Sequence, residues 1–277
     1  LDGLKLDFID EFDIEKGVDH QYGNGRDFQS VEEATFELIK SITQRLKAIK
    51  ADILIEYRQN YIGPLVRVCG NMLRSNDCPT SAMINRKQIF DLRLLSGNTA
   101  VHSDMIIWDK NDSVQNIARQ FISILFSVPQ ISVMLDKISD SEEQVIRFWM
   151  QLWLKYRDVF LKGKLRLVNP HGHYSQAYAE TDNTAIAVLY EDVVLNPGNT
   201  ISETFVMVNG TAKSRLVLEM NNGVPERTLS IYDCCGVLQK LKRCSLKKGI
   251  QSIEMPPSGV AVFSTTDAGL FICSNKR

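Results

Sequence analysis

The sequence predicts an α/β segment built on a parallel sheet, followed by an all-β segment. Up to about residue 160, short apolar runs alternate with longer stretches of helical period, the pattern of strands joined by right-handed crossovers. After Gly163 the helical period stops, and short β-rich runs separated by turn residues take over. A third observation concerns chemistry: strand after strand in the first segment closes on charged or polar residues.

The opening run, LDGLKLDFIDEFD, reads as a strand with Leu4, Leu6 and Phe8 on one side of the alternation and Lys5 and Asp7 on the other. Ser30 followed by Glu33 has the pattern of a capping box. Behind it Val31, Ala34, Leu38, Ile42, Leu46 and Ile49 form one helical stripe. DILIEY (52–57) and GNMLRS (70–75) are the next strands, and a helical pattern runs from Ser81 to Leu94. GNTAVHSD (97–104) is another strand, and SVQNIARQFISILF (113–126) a helix stopped by Pro129. QISVML (130–135) is the last strand of this segment. The helix from Ser141 to Leu161 carries Val145, Phe148, Trp149, Leu152, Trp153, Tyr156 and Phe160 on one stripe, expected in the core or between domains.

Five parallel strands are thereby expected, three fewer than an eight-stranded (β/α)8 TIM barrel needs. The segment reads as a partial barrel, its remaining strands supplied by a missing N-terminal half or by another chain, a homo-oligomer included. The β-rich runs are TAIAVLY, ETFVMV, SRLVLEM, RTLSIY, GVAVFS and GLFICS. Turn signals at Asn196-Pro197-Gly198, Asn209-Gly210, Asn222-Gly223 and Pro256-Pro257 separate them, as in an antiparallel β-sandwich. The domains are expected at 1–163 and 164–277.

Composition narrows the function. Lys and Arg number 32 against 33 Asp and Glu, a formal charge of -1, and no basic stripe points to nucleic acid or an anionic membrane surface. The apolar runs are too short and interrupted to span a bilayer. Cys69, Cys78, Cys234, Cys235, Cys244 and Cys273 contain no C-x-x-C pair and read as reduced, mostly buried thiols of a cytoplasmic protein. His171 and His173 lack a partner pair at zinc-ligand spacing, so no metal centre is expected. The Gly-rich YGNGRDF (22–28) is not followed by Gly-Lys-Ser, and is a pocket rim at most, not a phosphate cradle.

On a barrel strand, residues alternate between the interior and the helical layer. With Leu4, Leu6 and Phe8 toward the helices, Lys5 and Asp7 face the interior near the strand's C-terminal end, where barrel active sites are built. Glu56 closes DILIE, Arg74 and Asp77 close NMLRSND, and His102 and Asp104 close TAVHSD. Several carboxylates with a lysine and an arginine suit sugar chemistry: carboxylates serve as nucleophile and general acid, and the other groups bind hydroxyls. His102 fits either a binding role or a hydrogen-bonded core position.

These same residues carry a resemblance. GLKLDF, with lysine two residues before the acid, resembles the nucleophile strand of the α-galactosidase clan of glycoside hydrolases, families 27 and 36. ILIEYRQ sits where those enzymes have a glutamate after an apolar strand, LRSND resembles their arginine–acid/base segment, and VHSDM resembles the Asp-Met pair of the next strand. The chain looks most like a bacterial family 36 branch, covering the last five βα units of the barrel and the C-terminal β-sandwich. The resemblance implies a retaining α-galactosidase acting on oligosaccharides without a metal or organic cofactor. It implies Asp7 as nucleophile and Asp77 as acid/base. Lys5 and Arg74 would bind sugar hydroxyls, and Glu56, Asp104 and Met105 would line the pocket, with His102 beside them. Arg58 and the residues to Gly63 replace the family's usual Cys and Gly-Gly, and Leu73 to Asn76 replace its Trp-x-Ser-Asp lead-in. Both changes touch the pocket wall. An α-N-acetylgalactosaminidase or α-glucosidase of the same clan is the alternative, and a non-catalytic, carbohydrate-binding fragment is the other.

Overall fold

Four short strands build a parallel sheet in the order β1 (Gly3–Leu6), β2 (Leu54–Arg58), β3 (Met72–Arg74) and β4 (Ala100–His102). The computed structural model describes residues 1–8, 23, 25–58, 63–78, 81–198 and 201–265. Helices connect the strands: α1 (Val31–Ile49), α2 (Pro64–Cys69) and α3 (Ala82–Leu95); α4 (Val114–Ile124) and α5 (Asp140–Lys162) follow. Leu6, Ile55, Tyr57, Leu73 and Val101 pack with Ile39, Cys69 and Leu92 into one apolar cluster, so a single face of the sheet is covered by helices.

Three details of this segment differ from expectation. In α1 the cap forms, with Ser30 Oγ accepting the Glu33 N–H at 3.0 Å. The inward face, however, is Phe36, Ile39, Ile42, Thr43 and Leu46, while Leu38 and Ile49 are exposed. Thr43 joins it because its hydroxyl donates to Cys69 O at 3.0 Å, which satisfies the buried polar group. The strand expected at 130–135 is reduced to two parallel bridges, His102–Val128 and Ile106–Ile131. Pro129 lies between them and has no N–H to give to a ladder. Phe8 does not join the helix-facing set: its φ is +56°, the chain turns there, and its side chain is 60% exposed.

The second segment is a sandwich of unequal sheets. Its strands are β5 (Lys164–Val168), β6 (Gln176–Glu180), β7 (Thr184–Leu189), β8 (Thr204–Asn209), β9 (Arg215–Met220), β10 (Val224–Tyr232), β11 (Leu238–Leu246), β12 (Gly249–Glu254) and β13 (Val260–Ser264). Seven form one sheet in the order β11-β10-β13-β8-β7-β6-β5, and β12 pairs with β9 opposite it. Leu189, Phe205, Met207, Leu216, Leu218 and Phe263 fill the space between them. The sheet is not wholly antiparallel, because β7 and β8 run parallel. After β7 the chain crosses to the second sheet, where Leu195 bridges Leu218, and β8 then starts again in the same direction. β11, with Lys240, Lys242 and Arg243, is too polar to be read as a strand from apolar alternation, and it is largely exposed at the sheet edge. The run GLFICS lies outside the described residues.

The aromatic stripe of α5 packs as expected. Phe121, Phe126, Trp149, Leu152 and Phe160 meet Ala177, Ile186, Val188, Val206 and Val262 of the seven-stranded sheet in one cluster, continuous across Gly163. The β10–β11 turn docks on the same helix: Trp149 Nε1 donates to Cys234 O at 3.1 Å. Gly236, at φ +82°, leaves no room for a side chain, since a Cβ would lie 2.4 Å from the Phe148 ring. Trp149→Ala should therefore cost about 3–5 kcal/mol. A denaturant titration, with the midpoint shifted down and the slope unchanged, is the check; a midpoint within error of the parent would mean that this contact is not part of the core.

Candidate active site

Register decides which side chains meet. Lys5 of β1 lies opposite Glu56 of β2, and Glu56 opposite Met72 of β3. One step further, Arg58 lies opposite Arg74, and Arg74 opposite His102 of β4. Lys5, Glu56, Met72, Arg74 and His102 belong to the alternation that points away from the helix-packed cluster, because residues two apart share a face. Lys5, Glu56, Arg74 and His102 thus form one polar face, and Asp7, Asp77 and Asp104 follow just beyond the strand ends.

Contacts tie these groups into three units. Lys5 Nζ is 3.3 Å from Asp7 Oδ2, with both side chains partly exposed. His102 Nε2 reaches over β3 to within 3.1 Å of Glu56 Oε2, while Nδ1 lies 3.0 Å from Ser103 O. The Nε2 contact has the distance of an ion pair without the alignment of a hydrogen bond. Arg74, only 5% exposed, places Nη1 2.9 Å from Asp77 Oδ1 and directs Nη2 at Asp104 Oδ1.

Burial pulls the Glu56 carboxyl upward, but the contact with His102 and the charges of His102, Lys5 and Arg74 outweigh it and hold it below its ordinary 4.5. The Cys78 thiol is pushed up to about 12, first by burial and then by the negative charge of Asp104, with Arg74 opposing.

The other site residues from the sequence fall as follows. Met105 is half-buried just past Asp104. Arg58 ends β2, and its side chain is outside the described residues. Asp104, expected on the pocket wall, has no exposed surface. A supporting set that the motifs did not reveal surrounds it. Ser75 Oγ and Asn85 Oδ1 both accept the Asp104 N–H, and Asn85 Nδ2 donates to Asp104 O at 3.0 Å. Asn85 sits on the buried side of α3, and a polar residue on an apolar helix face was the available signal. Among the described residues, no three His, Cys, Asp or Glu side chains gather as metal ligands would.

Solved structures with a similar fold include glycoside hydrolases. The chain superposes on an Anoxybacillus α-amylase with a TM-score of 0.53 at 10% identity, over 84% of this chain and 57% of that one. A Geobacillus thermoleovorans α-amylase, solved with acarbose, gives 0.53 at 11% identity, over 97% and 61%. The fold is shared with glycoside hydrolases. A family 36 α-galactosidase, AgaB of Geobacillus stearothermophilus, gives 0.46 at 12% identity, over 81% of this chain and 30% of that one, too low to carry an argument. The chain thus spans about three-fifths of the two amylases. Neither a protein-family model nor a curated protein matches the sequence, so the likeness to family 36 rests on the motif residues.

The depressed Glu56 carboxyl makes a pH prediction. A group that titrates lower in the folded than in the unfolded state stabilises the fold above its unfolded value, and that stability is lost as pH falls through the folded value. The protein should lose stability as pH drops below 4.5, and His102→Gln should shrink the loss that Glu56 contributes. Carboxyl 13C NMR should show Glu56 titrating higher in the variant; an unmoved midpoint would remove His102 as the chief cause.

Proposed function

We propose that this chain carries the catalytic carboxylates of a retaining α-glycoside hydrolase whose substrates are terminal α-galactosides of oligosaccharides. One observation carries the reading: two carboxylates, Asp7 and Asp77, stand beyond the ends of β1 and β3 on one polar face, each beside a cation, Lys5 and Arg74. A nucleophile has to be ionised, and Lys5 beside Asp7 favours that state. Asp77 protonates the glycosidic oxygen while Asp7 attacks the anomeric carbon. Water, deprotonated by Asp77, then releases the sugar from the covalent intermediate. Lys5, Glu56, Arg74 and His102 bind the sugar along the same face, with Arg58 and Met105 as further sugar contacts.

The sheet is a section of a TIM barrel, whose active sites open at the strand C-terminal ends. The strand order, the connecting helices and the fold shared with two amylases support this. The choice of galactose comes from the motif resemblance alone. α-Glucoside specificity is the second reading, favoured by the α-amylase activity named for both of those structures. Five free thiols among the described residues support a cytoplasmic setting.

Aryl α-galactoside, α-glucoside and N-acetyl-α-galactosaminide, offered to the complete protein, separate these readings; hydrolysis of none would leave a carbohydrate-binding or inactive chain. Asp7→Asn should abolish turnover, because an amide is a poor nucleophile. Asp77→Ala should slow substrates with poor leaving groups by about 10²–10⁴-fold and spare activated aryl glycosides, which need little protonation. Equal losses on both substrate types would take the acid/base role away from Asp77.

A further inference from the structure

Asp104 has no part in the mechanism above, yet its surroundings are the most completely specified of the polar face. It is the single buried carboxylate among the described residues. Oδ1 faces Arg74 Nη2, and Oδ2 accepts the Cys78 N–H at 2.6 Å. Its own N–H and C=O are held by Ser75 and Asn85. Ser75 Oγ in turn donates to Asn85 Oδ1 at 2.9 Å, and Ser75 N donates to His102 O at 3.1 Å. With no exposed surface, Asp104 cannot touch a sugar.

We infer that Asp104 is a positioning residue: it shares the Arg74 guanidinium with Asp77, fixes the loop that carries Asp77, and cancels the arginine's charge there. The inference rests on the acid/base role given to Asp77. Residues 75–78 are anchored on both sides of Asp77, at Ser75 through its backbone and hydroxyl and at Cys78 through its N–H. The electrostatic part follows from what a general acid needs. Asp77 has to hold a proton when substrate arrives, and an unopposed cation 2.9 Å away favours losing it. Asp104 is fixed in the interior against the same cation, so Arg74 and Asp104 together present a nearly neutral pair. Among the described side chains, the other charged groups of this face are matched, Lys5 of β1 with Asp7 just beyond it and Glu56 with His102 across β2 and β4.

The test follows the Asp77 carboxyl by 13C NMR during a pH titration, assigned by its loss in Asp77→Asn. In Asp104→Asn the midpoint of Asp77 should fall by about one pH unit or more, the effect of an uncompensated arginine on a carboxylate. Asp104→Glu, which keeps the charge, should titrate close to the parent. An unmoved midpoint in Asp104→Asn, or an equal fall in Asp104→Glu, would overturn the inference. Should Asp104→Asn not fold, the double variant Arg74→Gln/Asp104→Asn decides, since it removes both buried charges together. A midpoint near the parent's supports cancellation, and a rise of about one unit or more means that Arg74 acted unopposed. In turnover, Asp104→Asn should move the basic limb of kcat/KM to lower pH and hurt poor leaving groups most. If the complete protein hydrolyses no glycoside, the proposed function fails, while the NMR midpoints still decide whether Asp104 shares the charge.

Discussion

Side chains alternate across a strand, and that constraint arranges the whole first segment. Leu6, Ile55, Tyr57, Leu73 and Val101 bury themselves against the helices, which sends Lys5, Glu56, Arg74 and His102 to the other face. A slip of one residue in any strand would place charges in the helix-packed core and apolar groups in the site. The register is therefore specified by hydrophobic burial, and the polar constellation follows from it. From the helices, Asn85 of α3 reaches this face and holds the backbone of Asp104.

The cations of that face are matched in very different surroundings. Lys5 and Asp7 are partly exposed, and such a pair adds at most about 1 kcal/mol to stability. Arg74 and Asp104 are buried, where desolvation opposes the attraction, so the arrangement holds only because further hydrogen bonds satisfy the remaining atoms. The Cys78 N–H supplies such a bond to the Asp104 carboxylate, while Ser75 and Asn85 hold the Asp104 backbone. Removing one partner would leave a charge without its counterpart in the interior, a costlier change than removing both.

Much of this was legible in the sequence, for physical reasons that also mark where reading stops. The polar strand ends were visible because alternation and residue type are both written in the chain. The covering helices were visible from their period, yet the face of α1 was misread because Thr43 is buried through a hydrogen bond that its polarity conceals. The strand before α5 was overcounted because Pro129 removes a ladder bond without disturbing the apolar run around it. The parallel pairing of β7 with β8 depends on which way the chain returns after Leu195, and composition does not encode direction. Depth was the least legible property. Asp77 and Asp104 are both aspartates after short strands, and only packing separates the half-exposed one from the fully enclosed one.

The two borders of the large sheet are polar in a similar way. β11 at one border carries Lys240, Lys242 and Arg243, and β5 at the other carries Lys164 and Arg166. A border strand has unpaired N–H and C=O groups that could recruit a strand from another molecule, and charged side chains, lysine above all, oppose that recruitment. Like charges on the borders of two copies would repel before backbone pairing could begin. The same positions that made β11 hard to recognise thus guard the protein against growing, sheet upon sheet, into an aggregate.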